Sequence, residues 1–234
     1  LKQASKRLWL FVGLVCLFLS QVPVSGAEDR HTYDSEGIYE LAQHATLYVR
    51  VYRADGTIKD VGTGFMIDKE GKALTAYHVV EGAERISVVM NDGTVVEPVT
   101  VTAENKEQDI AVLKLPASGS PSQAGYRYLN LRSGKTKHGE RIFALGYPMK
   151  ETKIITEGIV SSPRAPINGR DRILITAQVA SGMSGGPVLD KNGDVVGVIS
   201  GSLRTMNNIH LVVDMDAVRS VIKQHHSRRG SDEK

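Results

Sequence analysis

From residue 46 onward, short β-branched and apolar runs alternate with turn residues. Thr46-Leu-Tyr-Val-Arg-Val-Tyr52 opens the series, and Ala54-Asp55-Gly56 ends it with a turn. Strand patterns follow over 61–67, 73–76, 85–90, 95–102 and 110–115. Asp68-Lys-Glu-Gly71, Glu81-Gly82 and Asn91-Asp92-Gly93 separate them, the last being a strong hairpin signal. Residues 116–126, rich in Pro, Ser and Gly, read as a linker. The same texture resumes over 141–146, 153–161, 173–179, 187–190, 194–202 and 209–213, with Asn192-Gly193 as a further hairpin turn. Residues 163–172 read as a loop. Ahead of the strands lies a polar segment within 28–45. Its second half, 38–45, predicts a short helix with Ser35 as its cap. Asp214 or Asp216 is placed to cap a terminal helix to about residue 225, before a polar tail. The pattern predicts an all-β protein: two six-stranded antiparallel β-barrels over 46–115 and 127–213, then a helix and tail over 214–234. No long helical patterns alternate with the strands, which excludes a parallel α/β sheet.

Residues 1–27 break this pattern. Lys2, Lys6 and Arg7 precede an apolar run over 8–19, and Ser25-Gly26-Ala27 supplies small residues after it. That is the layout of a secretory signal peptide, with an apolar run too short to span a bilayer comfortably. Gly13-Leu14-Val15 is a poor lipoprotein context for Cys16, so plain secretion is favoured. An uncleaved anchor is the alternative. No membrane span is expected after cleavage.

Removing the segment takes away three positive charges and no negative ones. The formal charge of +3 then falls to neutrality, and the pI of about 8.9 loses its weight as a nucleic-acid signal. Cys16 is the only cysteine, so the exported domain has none. That points to a bacterial periplasmic or secreted protein. No metal or other cofactor is expected. The adjacent His225 and His226 diverge by about 100° on a helix and cannot easily share an ion. Arg219, Lys223, Arg228 and Arg229 precede Asp232 and Glu233 and read as a solvated face, not a nucleic-acid site.

The candidate chemistry begins at Ala180-Ser-Gly-Met-Ser-Gly-Gly-Pro187. A serine between glycines suggests an exposed nucleophile, because small neighbours let a carbonyl approach and let backbone N–H groups aim at an oxyanion. A serine hydroxyl needs a base, and the base needs an orienting group. His78 in Leu74-Thr-Ala-Tyr-His-Val-Val80 follows an apolar strand. Asp109 in Gln108-Asp-Ile-Ala-Val-Leu-Lys-Leu115 stands at the entrance of another. Gly182-Met-Ser-Gly-Gly186 also fits the G-x-S-x-G elbow of α/β-hydrolases. That fold needs a helix after the serine, with acid and histidine downstream. Here Pro187 and a strand pattern follow, and His210 has only Asp190 or Asp194 for a partner. The order His–Asp–Ser fits chymotrypsin-type enzymes.

Thr75-Ala-Tyr-His-Val-Val80, Asp109-Ile-Ala-Val-Leu-Lys114 and Gly182-Met-Ser-Gly-Gly-Pro187 resemble the three catalytic blocks of trypsin-like serine peptidases. Gly62-Thr-Gly-Phe-Met-Ile67, the run His138–Pro148 and Glu157-Gly-Ile-Val-Ser161 are similar to strands of the HtrA/Deg protease domain. The likeness covers roughly residues 45–215. It implies two β-barrels with a site between them and polypeptide substrates cleaved through an acyl-enzyme. His78 would be the general base, Asp109 its orienter and Ser184 the nucleophile. The N–H groups of Gly182 and Ser184 would form the oxyanion hole. The role implied is protein quality control or processing. The alternative is a non-catalytic module that captures peptides.

The chain departs from that family in three respects. No PDZ domain, usual in HtrA-type proteins, is expected here. Met183 stands where digestive enzymes carry the aspartate that pairs with a newly cut N-terminus, so activation by such a cut is not expected. HtrA members commonly have asparagine at that place. By the same resemblance Gln178 lies near the base of the specificity pocket and offers no charge to Lys or Arg. Ser200-Gly201-Ser202 resembles the strand that pairs with substrate backbone. Small or aliphatic side chains are expected before the cleaved bond.

Overall fold

The computed structural model describes residues 31–117, 125–150, 152–203 and 205–232, with side chains to Lys223. The expected signal segment and residues 118–124 of the expected linker lie outside the described residues. The first element among the described residues is helix α1 (Ser35–Ala42), whose N-cap is Asp34: its Oδ1 accepts the Gly37 N–H at 2.9 Å. Ser35, the cap expected from sequence, instead donates its hydroxyl to Glu157.

The first sheet comprises β1 (Thr46–Tyr52), β2 (Ile58–Met66), β3 (Lys72–Thr75), β4 (Arg85–Val89), β5 (Val95–Val96), β6 (Thr100–Asn105) and β7 (Ile110–Lys114), with the single-turn helix α2 (Tyr77–Val80) after β3. Its strand order is β5-β4-β1-β2-β3-β7-β6. The edge strands β5 and β6 are joined only by residues 97–99, and four Cα steps span at most about 14 Å. The sheet therefore curls until its edges nearly meet, giving a half-barrel, and Val99 N–H of the link donates to Ile86 O on β4 at 3.3 Å. The single strand expected over 95–102 is split at Pro98, which has no N–H to give a ladder.

The second group comprises β8 (Arg141–Met149), β9 (Thr152–Ile167), β10 (Arg170–Ile175), β11 (Pro187–Asp190), β12 (Val195–Ser202) and β13 (His210–Asp214). It closes as a six-stranded barrel in the order β10-β13-β12-β11-β8-β9. The expected loop over 163–172 is instead the tip of the β9–β10 hairpin. Its two-residue turn is Asn168-Gly169, with φ of +50° and +76°, the primed geometry that suits the strand twist.

One apolar core joins the first sheet, α1 and parts of β8 and β11–β13. A second fills the closed barrel around Ile142, Val160, Ile175 and Val188. Helix α3 (Met215–Asp232) begins where Asp214 Oδ1 accepts the Ala217 N–H at 2.8 Å. It runs past the end expected near residue 225. Met215, Val218 and Val221, one helical turn apart, are buried in the first core, and α3 packs against β6 and β7. Burying each such side chain stabilises by about 1.5–3 kcal/mol. Among the described residues no helix is long and apolar enough to cross a membrane.

Candidate active site

His78 sits on α2, directly after β3. Its neighbours Val79 and Val80 are buried and anchor the turn, which leaves the imidazole at the surface of the sheet with 43% of its side chain exposed. Asp109 lies between β6 and β7, is 7% exposed and has φ of +61°. Aspartate is among the few side chains that tolerate this left-handed backbone. The conformation turns its carboxylate back towards α2.

There the carboxylate is held from several directions. His78 Nδ1 lies 2.9 Å from Oδ1 and 3.0 Å from Oδ2, and the His78 backbone N–H donates to Oδ1 at 3.0 Å. The Ser200 hydroxyl on β12 donates to Oδ2 at 2.5 Å. Burial pushes the Asp109 carboxyl up, but the hydrogen bonds and charge of His78 and the bond from Ser200 outweigh it and hold it below the usual carboxylate range. The bond to Asp109 lifts His78 above the usual histidine value against partial burial, aided by the charges of Asp109, Asp60 and Glu81. With a carboxylate facing Nδ1, the neutral ring keeps its proton there and leaves the Nε2 lone pair as a base.

Ser184 lies on the tight loop before β11. Its carbonyl accepts the Thr63 N–H from β2 at 2.9 Å. Gly62, beside Thr63, separates Ser184 from α2. A Cβ placed on Gly62 would come within 2.7 Å of Val79 and 3.1 Å of the Ser184 carbonyl. The nucleophile loop thus packs against the turn that carries His78. Within the loop, the Met183 N–H donates to Ala180 O, Gly185 N–H to Ile199 O and Gly186 N–H to Met183 O. Among the described residues the N–H groups of Gly182 and Ser184 have no protein acceptor, which leaves both donors for another group. Gly185, at φ +86°, must be glycine: a Cβ would fall 2.2 Å from Thr63 O and 2.3 Å from Thr75 Oγ1. Met183 is fully buried in the barrel core against Gly146, so apolar packing supports this loop where digestive enzymes use an ion pair.

Thr63, and the contact of Ser200 with Asp109, are what the sequence pattern does not reveal. Thr63 Oγ1 donates to Gly182 O at 2.7 Å and accepts the Tyr147 N–H at 3.0 Å, so one side chain of the first sheet braces the loop of the second barrel. A threonine between two glycines, ahead of the apolar end of β2, is the signal the sequence offers. Replacing Thr63 by valine keeps the shape but leaves a carbonyl and an N–H unpaired. The expected loss is about 2–4 kcal/mol of stability by urea titration. Thr63→Ser should retain most of it.

Ser200 belongs to the strand expected to pair with substrate backbone, and its side chain faces Asp109. Ser202 Oγ lies 2.8 Å from Nδ1 of the buried His210, whose Nε2 accepts the Val179 N–H at 3.4 Å. Gln178 is exposed. Its amide donates to Asn208 Oδ1 at 3.2 Å, and its carbonyl accepts the Thr156 hydroxyl. These contacts tie the segment before Ser184 to β9 and to the start of β13. Among the described residues no cluster of three or more His, Cys, Asp or Glu is arranged to hold a metal ion.

Residues 62–198 match the family model described as Trypsin-like peptidase domain. The chain is 32% identical over 176 residues to Serine protease HTRA4 of Homo sapiens, which covers 72% of this chain and 35% of that protein. It is 30% identical over 214 residues to Serine endoprotease DegS of Escherichia coli (strain K12), covering 83% of this chain and 59% of that protein. The chain therefore spans between about a third and three fifths of these relatives. The crystal structure of the serine endoprotease from Yersinia pestis superposes with a TM-score of 0.71 over 83% of this chain and 67% of that one. At 22% identity it shows a shared fold.

Proposed function

Starting from a chain that belongs to the trypsin-like peptidase family and is similar to HtrA and DegS proteases, we propose that it is a serine endopeptidase with His78, Asp109 and Ser184 as its triad. The observation that carries this reading is the His78–Asp109 pair, held at 2.9 and 3.0 Å beside the Ser184 loop. His78 Nε2 takes the Ser184 hydroxyl proton as Oγ attacks the substrate carbonyl. Asp109 fixes the ring and stabilises the imidazolium that forms. The Gly182 and Ser184 N–H groups stabilise the oxyanion. Collapse of the tetrahedral intermediate passes the proton from Nε2 to the leaving amine and leaves an acyl-enzyme. Water then repeats the sequence, with His78 again as base.

The substrate is an extended polypeptide that adds a strand to the backbone of Ser200–Ser202. Small or aliphatic side chains enter beside Gln178, which has no charge to select Lys or Arg. The charge and apolar pattern of residues 1–27 supports export to the periplasm or outside the cell, where the enzyme serves protein quality control or processing.

Incubation with a fluorophosphonate should leave a stable phosphonyl adduct, and peptide mapping should place it on Ser184. A peptide library should show cleavage after small or aliphatic residues. Dominant cleavage after Arg or Lys overturns the specificity. A folded protein that neither labels nor hydrolyses any peptide overturns the catalytic assignment in favour of peptide capture alone.

A further inference from the structure

The segment that delivers Asp109 is held by a buried arginine from the other barrel. Arg172 on β10 is 4% exposed. Its guanidinium crosses to the turn before Asp109, where Nη2 donates to Gln108 O at 3.2 Å and to Glu107 O at 3.5 Å. Nη1 donates to Asp171 O at 2.9 Å on its own strand. The turn has one further brace, Asn105 Oδ1, which accepts the Gln108 N–H at 2.9 Å. Burial pushes Arg172 below the usual arginine value. Around it the charges of Asp109 and Asp214 favour the cation and that of Arg170 opposes it. A buried cation is costly to keep unless it is paired and hydrogen-bonded. Here its donors go to backbone carbonyls immediately before a residue in left-handed backbone.

We propose that Arg172 is a positioning residue that fixes the 105–109 turn so that the Asp109 carboxylate meets His78. This deepens the triad reading and rests on it. Asp109 meets Nδ1 from a left-handed backbone conformation. Arg172 holds the two carbonyls before it through Nη2, while Nη1 anchors the guanidinium on Asp171 O of β10, so the planar fork ties the 105–109 turn to the second barrel. A lysine carries the charge but is shorter and lacks the fork. Its neighbours Glu107, Gln108, Arg170, Asp171 and Asp214 line an open cavity of about 800 Å³, so truncating the buried Arg172 side chain leaves a space beside that cavity for a small cation to fill.

The test uses the full chain with Arg172→Ala and Arg172→Lys. His78 is followed by its ring titration and by the low-field resonance of its Nδ1 proton, assigned by its loss in His78→Gln. In Arg172→Ala the His78 titration should move down towards the ordinary histidine value, and the low-field resonance should weaken or vanish. The value of kcat/KM should fall about tenfold or more, as displacements of a catalytic group by an ångström do. Methylguanidinium should restore both readings in part. Arg172→Lys should give intermediate values.

A folded Arg172→Ala with unchanged His78 titration and kcat/KM overturns the proposal. If that variant does not fold, a lysine variant indistinguishable from wild type in both readings overturns it. The His78 titration does not depend on turnover. A wild type without peptidase activity therefore sinks the catalytic reading while the hold of Arg172 on Asp109 is still measured.

Discussion

Replacing Ser184 by alanine is expected to lower kcat for peptide hydrolysis by about 10⁶-fold, the scale seen when a triad nucleophile is removed. The fold should survive. Among the described residues the Ser184 side chain makes no protein hydrogen bond, and its carbonyl still accepts the Thr63 N–H. The brace from Thr63 Oγ1 to Gly182 O does not involve the hydroxyl either. Substrate affinity should therefore persist, and the variant should hold uncut peptides. Single-turnover kinetics and fluorescence anisotropy with a labelled peptide separate the two effects. Hydrolysis at the wild-type rate would mean that the nucleophile is another residue.

Asp109→Asn should lower kcat by about 10⁴-fold with little change in the backbone. Asparagine accepts a left-handed conformation as readily as aspartate, so the turn at φ +61° is not strained by the exchange. The chemistry changes instead. An amide NH₂ facing Nδ1 makes that nitrogen an acceptor, so the ring proton moves to Nε2, where the base is needed. The amide also accepts less well from the Ser200 hydroxyl and the His78 N–H.

The pH profile carries a second signature. His78 lies above the usual histidine value, so the acid limb of kcat/KM in the wild type is expected above that value too. Without the Asp109 charge the limb should move down. The same pair sets the pH dependence of stability. The raised His78 contributes fully below the unfolded histidine value and is lost as pH rises through its folded one. The lowered Asp109 contributes above the usual carboxylate range and is lost as pH falls through its folded value. Thermal melts should show the pair's contribution largest between those limits.

Strands whose signal is local were legible in the sequence. Thr46–Tyr52 and Pro187–Asp190 are found at the expected bounds, because β-branched runs there end at unmistakable turns. The tip of the β9–β10 hairpin was not legible. Pro163 and Pro166 masked a strand whose only clear sign was Asn168-Gly169. His78, Asp109 and Ser184 stood out because each occupies a strand end with its own small or apolar neighbours. Thr63, Arg172 and the Asp109 contact of Ser200 did not, since these roles are defined by partners across the molecule. Ser200 lies 91 residues from Asp109, Thr63 lies 119 from Gly182, and Arg172 lies 64 from Gln108. No periodicity in a single chain reports such a pairing.

That separation also bears on the order in which the molecule is made. His78 and Asp109 are synthesised early, but the group that clamps the carboxylate is Ser200, and the carbonyl that receives the Gly185 N–H belongs to Ile199. A nascent chain ending before β12 therefore lacks both the lock on the acid and the anchor of the nucleophile loop. On the proposed reading, the site is completed only once β12 has been synthesised and packed against Asp109.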